Sequence, residues 1–161
     1  MPIRSGLGTV TVLGCLLAST PSGAQVLMQR DVSLRMAMTI AETASVECGA
    51  IASIAVVDRA GRLKLLLQGD GGSPHNAELA RRKAYTARTF RMTSAAWAKR
   101  TETVNQGQRM LTDVIPLGGG VPIMVGNETI GAIGLSGAPG GQAKEEACAL
   151  AGIAKVADQL K

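Results

Sequence analysis

Residues 118–137 read GGGVPIMVGNETIGAIGLSG, and the rest of the chain is organised around this stretch. Gly126 and Asn127 separate two short apolar runs, and both residue types tolerate the positive φ that a tight hairpin turn requires. The stretch therefore predicts two antiparallel strands joined by a tight turn. Gly131 and Gly134 lie inside the second strand, where glycine indicates a β-bulge or the close packing of another backbone.

Glycine-rich loops flank the hairpin on both sides, at residues 118–120 and at residues 136–141. Because glycine has no side chain, the backbone N–H groups of these loops are left uncovered. We therefore expect the two loops to border any ligand site. The second loop also leads into the last predicted helix, whose N-terminus can accept an anion.

The composition limits the class of protein. The chain has 161 residues, which suit one domain with a hydrophobic core. It holds one Trp, one Tyr and one Phe, so the core is predicted to be aliphatic. Binding of single-stranded nucleic acid relies on aromatic stacking platforms, and we therefore expect no nucleic-acid partner.

Residues 1–24 have the pattern of a secretory signal peptide. Arg4 supplies a positive charge, residues 7–18 form an apolar run, and small residues precede a cleavage site after Ala24. The apolar run is too short to span a membrane, so we expect no transmembrane segment. The mature protein is then a single domain over residues 25–161, located in the periplasm or secreted.

Lipoprotein processing is the alternative for this N-terminus. Residues 12–15, VLGC, loosely match a lipobox, but the second position is not the usual small residue. Anchoring at Cys15 therefore ranks behind cleavage after Ala24. Export leaves Cys48 and Cys148 as an even pair of cysteines in an oxidising compartment.

Apolar periodicity predicts the elements of the mature chain. They are a helix over residues 26–48, strands over 51–57 and 62–68, a helix from residue 73 or 74, a helix over 93–105, a short strand near Val114, the hairpin, and a last helix over 143–160. Because runs of strands joined by hairpins alternate with runs of helices, this order predicts an antiparallel sheet with helices, as an α+β or three-layer α/β/α fold. Ala77, Ala80, Ala84 and Ala87 form a small-residue stripe that lets their helix lie very close to a sheet or to another helix.

His75 is the only histidine, which limits any metal site built from several histidines. It is either an exposed residue at the start of a helix or a ligand-binding residue, since one imidazole is enough for one axial haem ligand. Residues 75–109 carry eight cations against two acids, a balance of +6. Such a basic helical face is either solvated surface or a site for carboxylate-bearing ligands or anionic lipid.

Four motifs identify a resemblance to a known family. They are SIAVVDRAG at residues 53–61, RKAYTA at 82–87, GGGVPI at 118–123 and IGAIGLSG at 130–137. Through them the chain resembles the GlcG/HbpS family, whose members are often called haem-binding or haem-degrading proteins. The same module ends PduO-type cobalamin adenosyltransferases. The resemblance covers nearly all of residues 28–160.

The resemblance implies a profilin-like fold, in which a five-stranded antiparallel sheet is flanked by helices, and this agrees with the element order. It also implies assembly into homo-oligomers. The last helix of the family usually opens with an Asp-Glu pair, and Glu145 and Glu146 stand in that place here. This departure preserves the negative charge.

The resemblance also implies a pocket for haem or a related tetrapyrrole, near the glycine loops and the helix that holds Lys83. There we infer His75 as an axial metal ligand, and Arg82 and Lys83 as partners of the propionates. The remaining candidate binding residues are Thr86, Gly119, Gly120, Ser136 and Gly137. Haem would be held non-covalently because the chain has no Cys-x-x-Cys-His motif. No catalytic residue is identified.

Three functions are compatible with the resemblance. The first is an exported, oligomeric binding protein for haem or a related tetrapyrrole. The second is an enzyme that acts on haem or on a small organic acid at the same pocket. The third is an assembly module in which the glycines serve only close packing.

The resembled fold bears on Cys48 and Cys148 as well. If the strands over residues 51–57 and 129–135 are antiparallel neighbours, as that fold implies, the first helix ends beside the start of the last helix. The two cysteines would then lie close together. A disulfide and two buried free thiols remain equal alternatives, because cysteines on helices often miss the geometry that a bridge needs.

Overall fold

Residues 25–161, which the computed structural model describes, form four α-helices and four β-strands. In chain order they are α1 (Leu34–Cys48), β1 (Ser53–Val57), β2 (Leu63–Leu67), α2 (Asn76–Phe90), α3 (Ser94–Arg100), β3 (Gly120–Val125), β4 (Glu128–Ser136) and α4 (Gly141–Ala154). Short 3-10 helices follow α3 and α4, at Gln106–Met110 and Ala157–Gln159. The predicted signal peptide over residues 1–24, with Cys15, lies outside the described residues.

The four strands form one antiparallel sheet in the order β2-β1-β4-β3. β1 and β2 form one hairpin, β3 and β4 form the other, and β1 pairs with β4 at the centre of the sheet. The predicted α+β fold with an antiparallel sheet is therefore confirmed. β1 is buried along its whole length, as expected for a central strand whose residues are apolar on both faces.

The fifth strand that the family resemblance implies is not confirmed. The described residues between α3 and β3 hold a 3-10 helix and no strand near Val114. Side chains of α2 hold this segment instead. Arg82 donates a hydrogen bond to the carbonyl of Val114 at 2.6 Å, and the Thr86 hydroxyl accepts one from the N–H of Ile115 at 2.9 Å. Because these backbone groups bond to the helix, they are not available to a neighbouring strand.

Three helices are shorter than the periodicity predicts, and one of them is α4, which ends at Ala154 rather than at residue 160. α1 begins at Leu34 rather than Val26, because the Ser33 hydroxyl caps it by accepting a hydrogen bond from the N–H of Met36 at 3.1 Å. α3 ends at Arg100, five residues before the predicted end at residue 105. The apolar pattern thus locates these three helices and misplaces one end of each by several residues.

Helices cover both faces of the sheet. α1 and α4 pack on one face, where Ile40, Ile54 and Ile133 belong to the larger hydrophobic cluster. α2 packs on the other face, in a cluster formed by Ala55, Val57, Ala80, Ala84, Ala87 and Ala132. Three of the four alanines of the predicted stripe, Ala80, Ala84 and Ala87, therefore face the sheet. None of the helices within residues 25–161 combines the length and the apolarity that a membrane crossing needs.

A disulfide joins the two helices of the first face. It links Cys48, the last residue of α1, to Cys148 in α4, with the two Cα atoms 5.8 Å apart. The alternative of two free thiols is therefore wrong in this structure. The bridge closes a loop with a sequence separation of 100 residues. For a loop of that length the chain-entropy model gives an upper figure of about 4–5 kcal/mol of stabilisation.

The glycines within the sheet mark places where backbones touch. A Cβ atom on Gly134 would lie 2.2 Å from the carbonyl oxygen of Ala80 and 2.4 Å from the nitrogen of Ala84, both in α2. At Gly120 it would lie 2.2 Å from the carbonyl oxygen of Lys83. The predicted close packing of another backbone is therefore confirmed.

The predicted β-bulge is also confirmed, beside Gly131. The pairing of β3 with β4 passes from Ile123 opposite Gly131 to Met124 opposite Thr129, so that Ile130 is the extra residue. A Cβ atom on Gly131 would lie 2.5 Å from a methyl carbon of Val32. Gly131 thus lies beside the β-bulge and also in close contact with Val32.

We expect the Gly134→Ala substitution to lower the free energy of unfolding by about 1–3 kcal/mol, because the added methyl group forces α2 away from β4. Urea denaturation followed by circular dichroism measures the change. Gly107→Ala is the matched control, since a Cβ atom there meets nothing within 4 Å and the residue does not have a positive φ. Equal stability of the two variants would contradict direct contact between the helix and the sheet.

Candidate functional site

The two glycine loops lie side by side at the start of α4. The N–H of Leu135 donates a hydrogen bond to the carbonyl of Gly119 at 3.0 Å. The N–H of Gly137 donates to the carboxylate of Glu145 at 2.8 Å, and the N–H of Gly118 donates to the Gln142 side chain at 2.5 Å. Side chains of α4 therefore accept hydrogen bonds from both loops.

A buried ion pair lies beneath this junction. The Nζ atom of Lys83 is 2.6 Å from Oε2 of Glu145, and it also donates to the carbonyl of Leu135 at 2.9 Å. The two side chains are only 3% and 5% exposed. Buried charges need such partners, because an isolated charge in the interior is strongly unfavourable. The pair thus joins α2, β4 and α4.

This pairing bears on the inferred role of Lys83 as a propionate partner. Its ammonium group points into the protein, where Glu145 and Leu135 already accept its hydrogen bonds. Sequence reasoning noted Glu145 as a negative charge at the start of the last helix and did not connect it with Lys83. The signal in the sequence that could have predicted the pair is a lysine within the alanine stripe of one helix, together with an acidic residue near the start of the last helix.

The candidate glycines are covered by neighbouring side chains. Gly119 has a φ of 108°, and a Cβ atom there would lie 2.7 Å from Oε2 of Glu145. The N–H of Gly120 donates to the Ser94 hydroxyl at 2.8 Å. A Cβ atom on Gly137 would lie 2.2 Å from the side-chain nitrogen of Asn76. At these positions glycine therefore allows other groups of the protein to pack directly against the loop backbone.

The other candidates on α2 and β4 are also engaged. Ser136 bonds to the Asn76 side chain at 3.4 Å, and the Thr86 hydroxyl donates to the carbonyl of Arg82 at 2.8 Å. Arg82 and Thr86 hold the segment around Val114, as described above. The Nε atom of Arg82 is buried and has no hydrogen-bond partner among residues 25–161.

His75 differs from the other candidates because its side chain is exposed. It immediately precedes α2, and its imidazole makes no capping hydrogen bond to the helix. The neighbouring Asn76 lies against Gly137, so His75 adjoins the glycine junction. Residues 25–161 contain no cluster of three or more His, Cys, Asp or Glu side chains that could hold a metal ion.

An open groove of about 380 Å³ lies next to the first glycine loop, between α3 and α4. It is lined mainly by apolar side chains, and its residues are Ala95, Gln142, Ala143, Glu146, Ala147 and Leu150. A Cβ atom on Gly118 would lie 3.2 Å from Ala95 and 3.0 Å from Gln142, which places the groove beside the loop. Burial raises the pKa of the Glu146 carboxyl. The groove therefore offers an apolar surface with one carboxyl group at the site.

Half of the cations of the basic face predicted over residues 75–109 bond to other groups of the protein. Arg81 bonds to Glu78 at 2.8 Å and to Asp113 at 2.6 Å, and these carboxylates raise the pKa of Arg81. Arg109 donates to the Thr101 hydroxyl at 2.9 Å. These two cations, together with Arg82 and Lys83, hold structural segments in place. The other four of the eight make no ion pair within residues 25–161, and they are Arg88, Arg91, Lys99 and Arg100.

Comparison with known proteins identifies relatives over most of the chain. The sequence profile of the family described as haem degrading protein HbpS-like matches residues 29–154. The crystal structure of HbpS is similar at 30% identity with a TM-score of 0.76, covering 84% of this chain and 97% of that chain. No curated protein sequence matches significantly.

Two more distant structures share the fold. Klebsiella pneumoniae protein ORFY, of the family DUF336, has 21% identity and a TM-score of 0.70, covering 86% of this chain and 98% of that one. The structure of a PduOC:heme complex has 18% identity and a TM-score of 0.68, covering 77% of this chain and 94% of that one. At these identities the likeness is one of fold alone.

We expect Lys83→Met to lower the free energy of unfolding by about 3–5 kcal/mol, because Glu145 is left as an uncompensated buried charge. The Lys83→Met/Glu145→Gln double variant removes that charge and keeps an acceptor for Gly137, so it should be less destabilised than the single variant. Urea denaturation of the wild type, both single variants and the double variant measures the coupling.

Lys161→Met is the control for this cycle. Lys161 pairs with Asp158 at 3.0 Å, but the two side chains are 78% and 96% exposed, so its loss should have no measurable effect. A Lys83→Met variant as stable as Lys161→Met would show that the ion pair does not hold the junction.

Proposed function

The chain belongs to the HbpS-like family, and from this membership we propose that it is an exported, oligomeric binding protein for haem or a related tetrapyrrole. The observation that carries the proposal is the family match over residues 29–154. Support also comes from the fold, since a structure with the same fold is a heme complex. The chemistry at the site then decides which residues take part.

The described residues fit haem in part. Haem iron accepts an imidazole nitrogen as an axial ligand, and His75 presents an exposed imidazole. Arg82 has a buried Nε atom without a partner among the described residues, which suits a carboxylate acceptor close to that guanidinium. Lys83 does not fit, because its ammonium is buried in the pair with Glu145. We therefore assign His75 to the iron, Arg82 to a propionate, and Lys83 to the scaffold.

The glycine junction itself is closely packed, so the proposed ligand lies against its outer side. The apolar groove between α3 and α4 suits the face of a macrocycle, since such ligands are held mostly by apolar contacts. The groove adjoins the junction through Gly118, and His75 adjoins it through Asn76. Binding would be non-covalent.

Titration with hemin tests the proposal. We expect a saturable Soret band in the wild type, and in His75→Gly a shifted Soret maximum with affinity about tenfold or more weaker. Glycine is accepted at this position before a helix, so folding should be retained. Free imidazole should return the Soret maximum of His75→Gly toward that of the wild type, which a merely structural role would not allow.

The outcomes of the titration separate the assignments. An unchanged spectrum in His75→Gly would remove His75 from the site, and absence of saturable hemin binding in the wild type would contradict the haem proposal itself. Hemin dimethyl ester lacks the propionate charges and should bind more weakly than hemin. Equal affinity for the ester would contradict the role of Arg82.

Haem degradation is the second candidate, because the description of the matching family names it. The haem-loaded protein is incubated with a reductant in air, and the Soret band is followed against a free hemin control. Faster loss of the band with protein supports an enzyme, and a stable band supports binding alone. A third outcome is that the protein neither binds nor turns over haem or a small organic acid in these experiments. The remaining function is then that of an assembly module, in which the glycines serve only close packing.

Assembly into oligomers is supported by apolar side chains at the surface. Met110 is 87% exposed and Leu150 is 52% exposed, and Leu150 also lines the apolar groove. Burying such groups against a second copy is favourable. Light scattering coupled to size-exclusion chromatography measures the mass, and a monomer at all concentrations would contradict the proposal.

Export is supported by the disulfide, since such bridges persist in oxidising compartments. In a bacterial host we expect the protein in the periplasm to begin at Gln25, with Cys48 and Cys148 bridged. Mass spectrometry measures the N-terminus, and thiol counting before and after reduction measures the bridge. Retention of residues 1–24 in the cytoplasm, or two free thiols before reduction, would contradict export.

A further inference from the structure

A group of arginines lies at the end of the sheet opposite the glycine junction. Gly120 pairs with Gly134 at the junction end of the β3–β4 hairpin, whereas Val125 pairs with Glu128 at its turn. Near this turn, Arg59 of the β1–β2 turn meets the C-terminal end of α2. The arginines are therefore separate from the site proposed for haem.

Two adjoining cavities are formed there. The first, of about 310 Å³, is lined by Gln29, Asp31, Arg59, Ala60, Arg62 and Arg88. The second, of about 200 Å³, is lined by Arg59, Arg88, Arg91, Asn127, Glu128 and Thr129. Arg59 and Arg88 line both cavities, so the two cavities adjoin, and together they make up the arginine-lined space.

The charges that line this space do not balance. Its lining includes four arginines and two carboxylates, a formal charge of +2. Ion-pair partners outside the lining do not change this sum, because Asp58 beside Arg62 and Arg30 beside Glu128 cancel each other. Glu128 pairs with Arg59, and Asp31 accepts hydrogen bonds from the backbone N–H groups of Arg59 at 2.9 Å and Val32 at 2.7 Å. Both carboxylates are therefore already engaged.

Arg62 has its own partner outside the cavities. It pairs with the buried Asp58 at 3.0 Å, and that carboxylate also accepts hydrogen bonds within the β1–β2 turn. Within residues 25–161, Arg88 and Arg91 make no ion pair. These two arginines supply the positive charge that remains unmatched.

Arg88 is held in an environment that disfavours its charge. Its Nε atom is buried and has no hydrogen-bond partner among the described residues. Burial lowers the pKa of Arg88, and repulsion from Arg59 and Arg91 lowers it further, against a weaker opposing effect of Asp31 and Asp58. A buried donor without an acceptor is rare in folded proteins and indicates a missing partner.

Arg91 occupies a backbone position that usually favours glycine. It ends α2 in the left-handed conformation, with φ 56° and ψ 36°. Helices commonly end with glycine in this conformation, and other residues adopt it at some cost. Arg91 therefore holds a position at which glycine would be less strained.

We propose that this space binds a small divalent oxyanion of the phosphate or phosphate monoester class. Guanidinium groups match phosphate oxygens with paired hydrogen bonds, and three of them border the second cavity. A dianion matches the +2 charge of the lining and supplies the counter-charge that Arg88 and Arg91 lack. Asn127 adds a neutral amide donor at the hairpin turn.

Isothermal titration calorimetry in low-chloride buffer tests the site, with inorganic phosphate as the probe. We expect saturable binding to the wild type at millimolar phosphate, and affinity about tenfold or more weaker in Arg88→Met and in Arg91→Met. Arg100→Met is the matched control, since Arg100 is an exposed arginine in the last turn of α3, outside both cavities. Its affinity for phosphate should equal that of the wild type.

Glycerol phosphate and succinate complete the experiment. Tighter binding of glycerol phosphate than of inorganic phosphate would assign the ester, and the reverse order would assign free phosphate. Equal affinity for succinate would overturn the phosphate class. If Arg88→Met fails to fold, the exposed Arg91 carries the test alone.

Two further results would overturn the site. One is the absence of saturable phosphate binding in the wild type, which would mean that Arg88 and Arg91 serve only the negative end of the α2 dipole. The other is a loss of phosphate affinity in Arg100→Met equal to that in Arg88→Met and Arg91→Met. The net charge of the protein, and not a specific site, would then explain the binding.

Discussion

The fold depends on the direct contact between the backbone of α2 and the backbones of β3 and β4. At Gly120 and Gly134 no side chain separates the helix from the sheet, and a single methyl group would overlap with main-chain atoms of α2. Alanines on the helix complete the contact. This short distance places Lys83 beneath the sheet edge, where its ammonium reaches the carbonyl of Leu135 and the carboxylate of Glu145.

The ion pair then fixes the two glycine loops. Because Glu145 also accepts a hydrogen bond from Gly137, one carboxylate connects a helix, a strand end and a loop. Residues that a sequence pattern assigns to ligand binding thus serve, in this structure, to hold the surface against which a ligand is proposed to lie. His75 is the exception, since its exposed imidazole is free of any capping role.

Local patterns in the sequence predict much of the fold. The hairpin turn at Gly126 depends on residues next to one another in the chain, and it is confirmed. The close packing at Gly134 is confirmed too, because the glycine itself indicates it even though its partners in α2 are distant in the chain. The missing fifth strand and the late start of α1 depend on one or two side-chain hydrogen bonds each, which periodicity does not report. The pairing of Lys83 with Glu145 was missed because the two residues are 62 positions apart. The arginine-lined space was missed for the same reason, since two turns, the segment before α1 and the end of α2 meet there.

The disulfide between Cys48 and Cys148 has a mechanical consequence. All four strands lie between these two cysteines in the chain. A pulling force applied at the two ends of the folded domain would therefore pass through the sulfur–sulfur bond and leave the sheet without load. Only α1, the part of α4 after Cys148 and the terminal segments could be extended. Under tension the domain is expected to lengthen by those segments and then to resist further extension until the bridge is reduced.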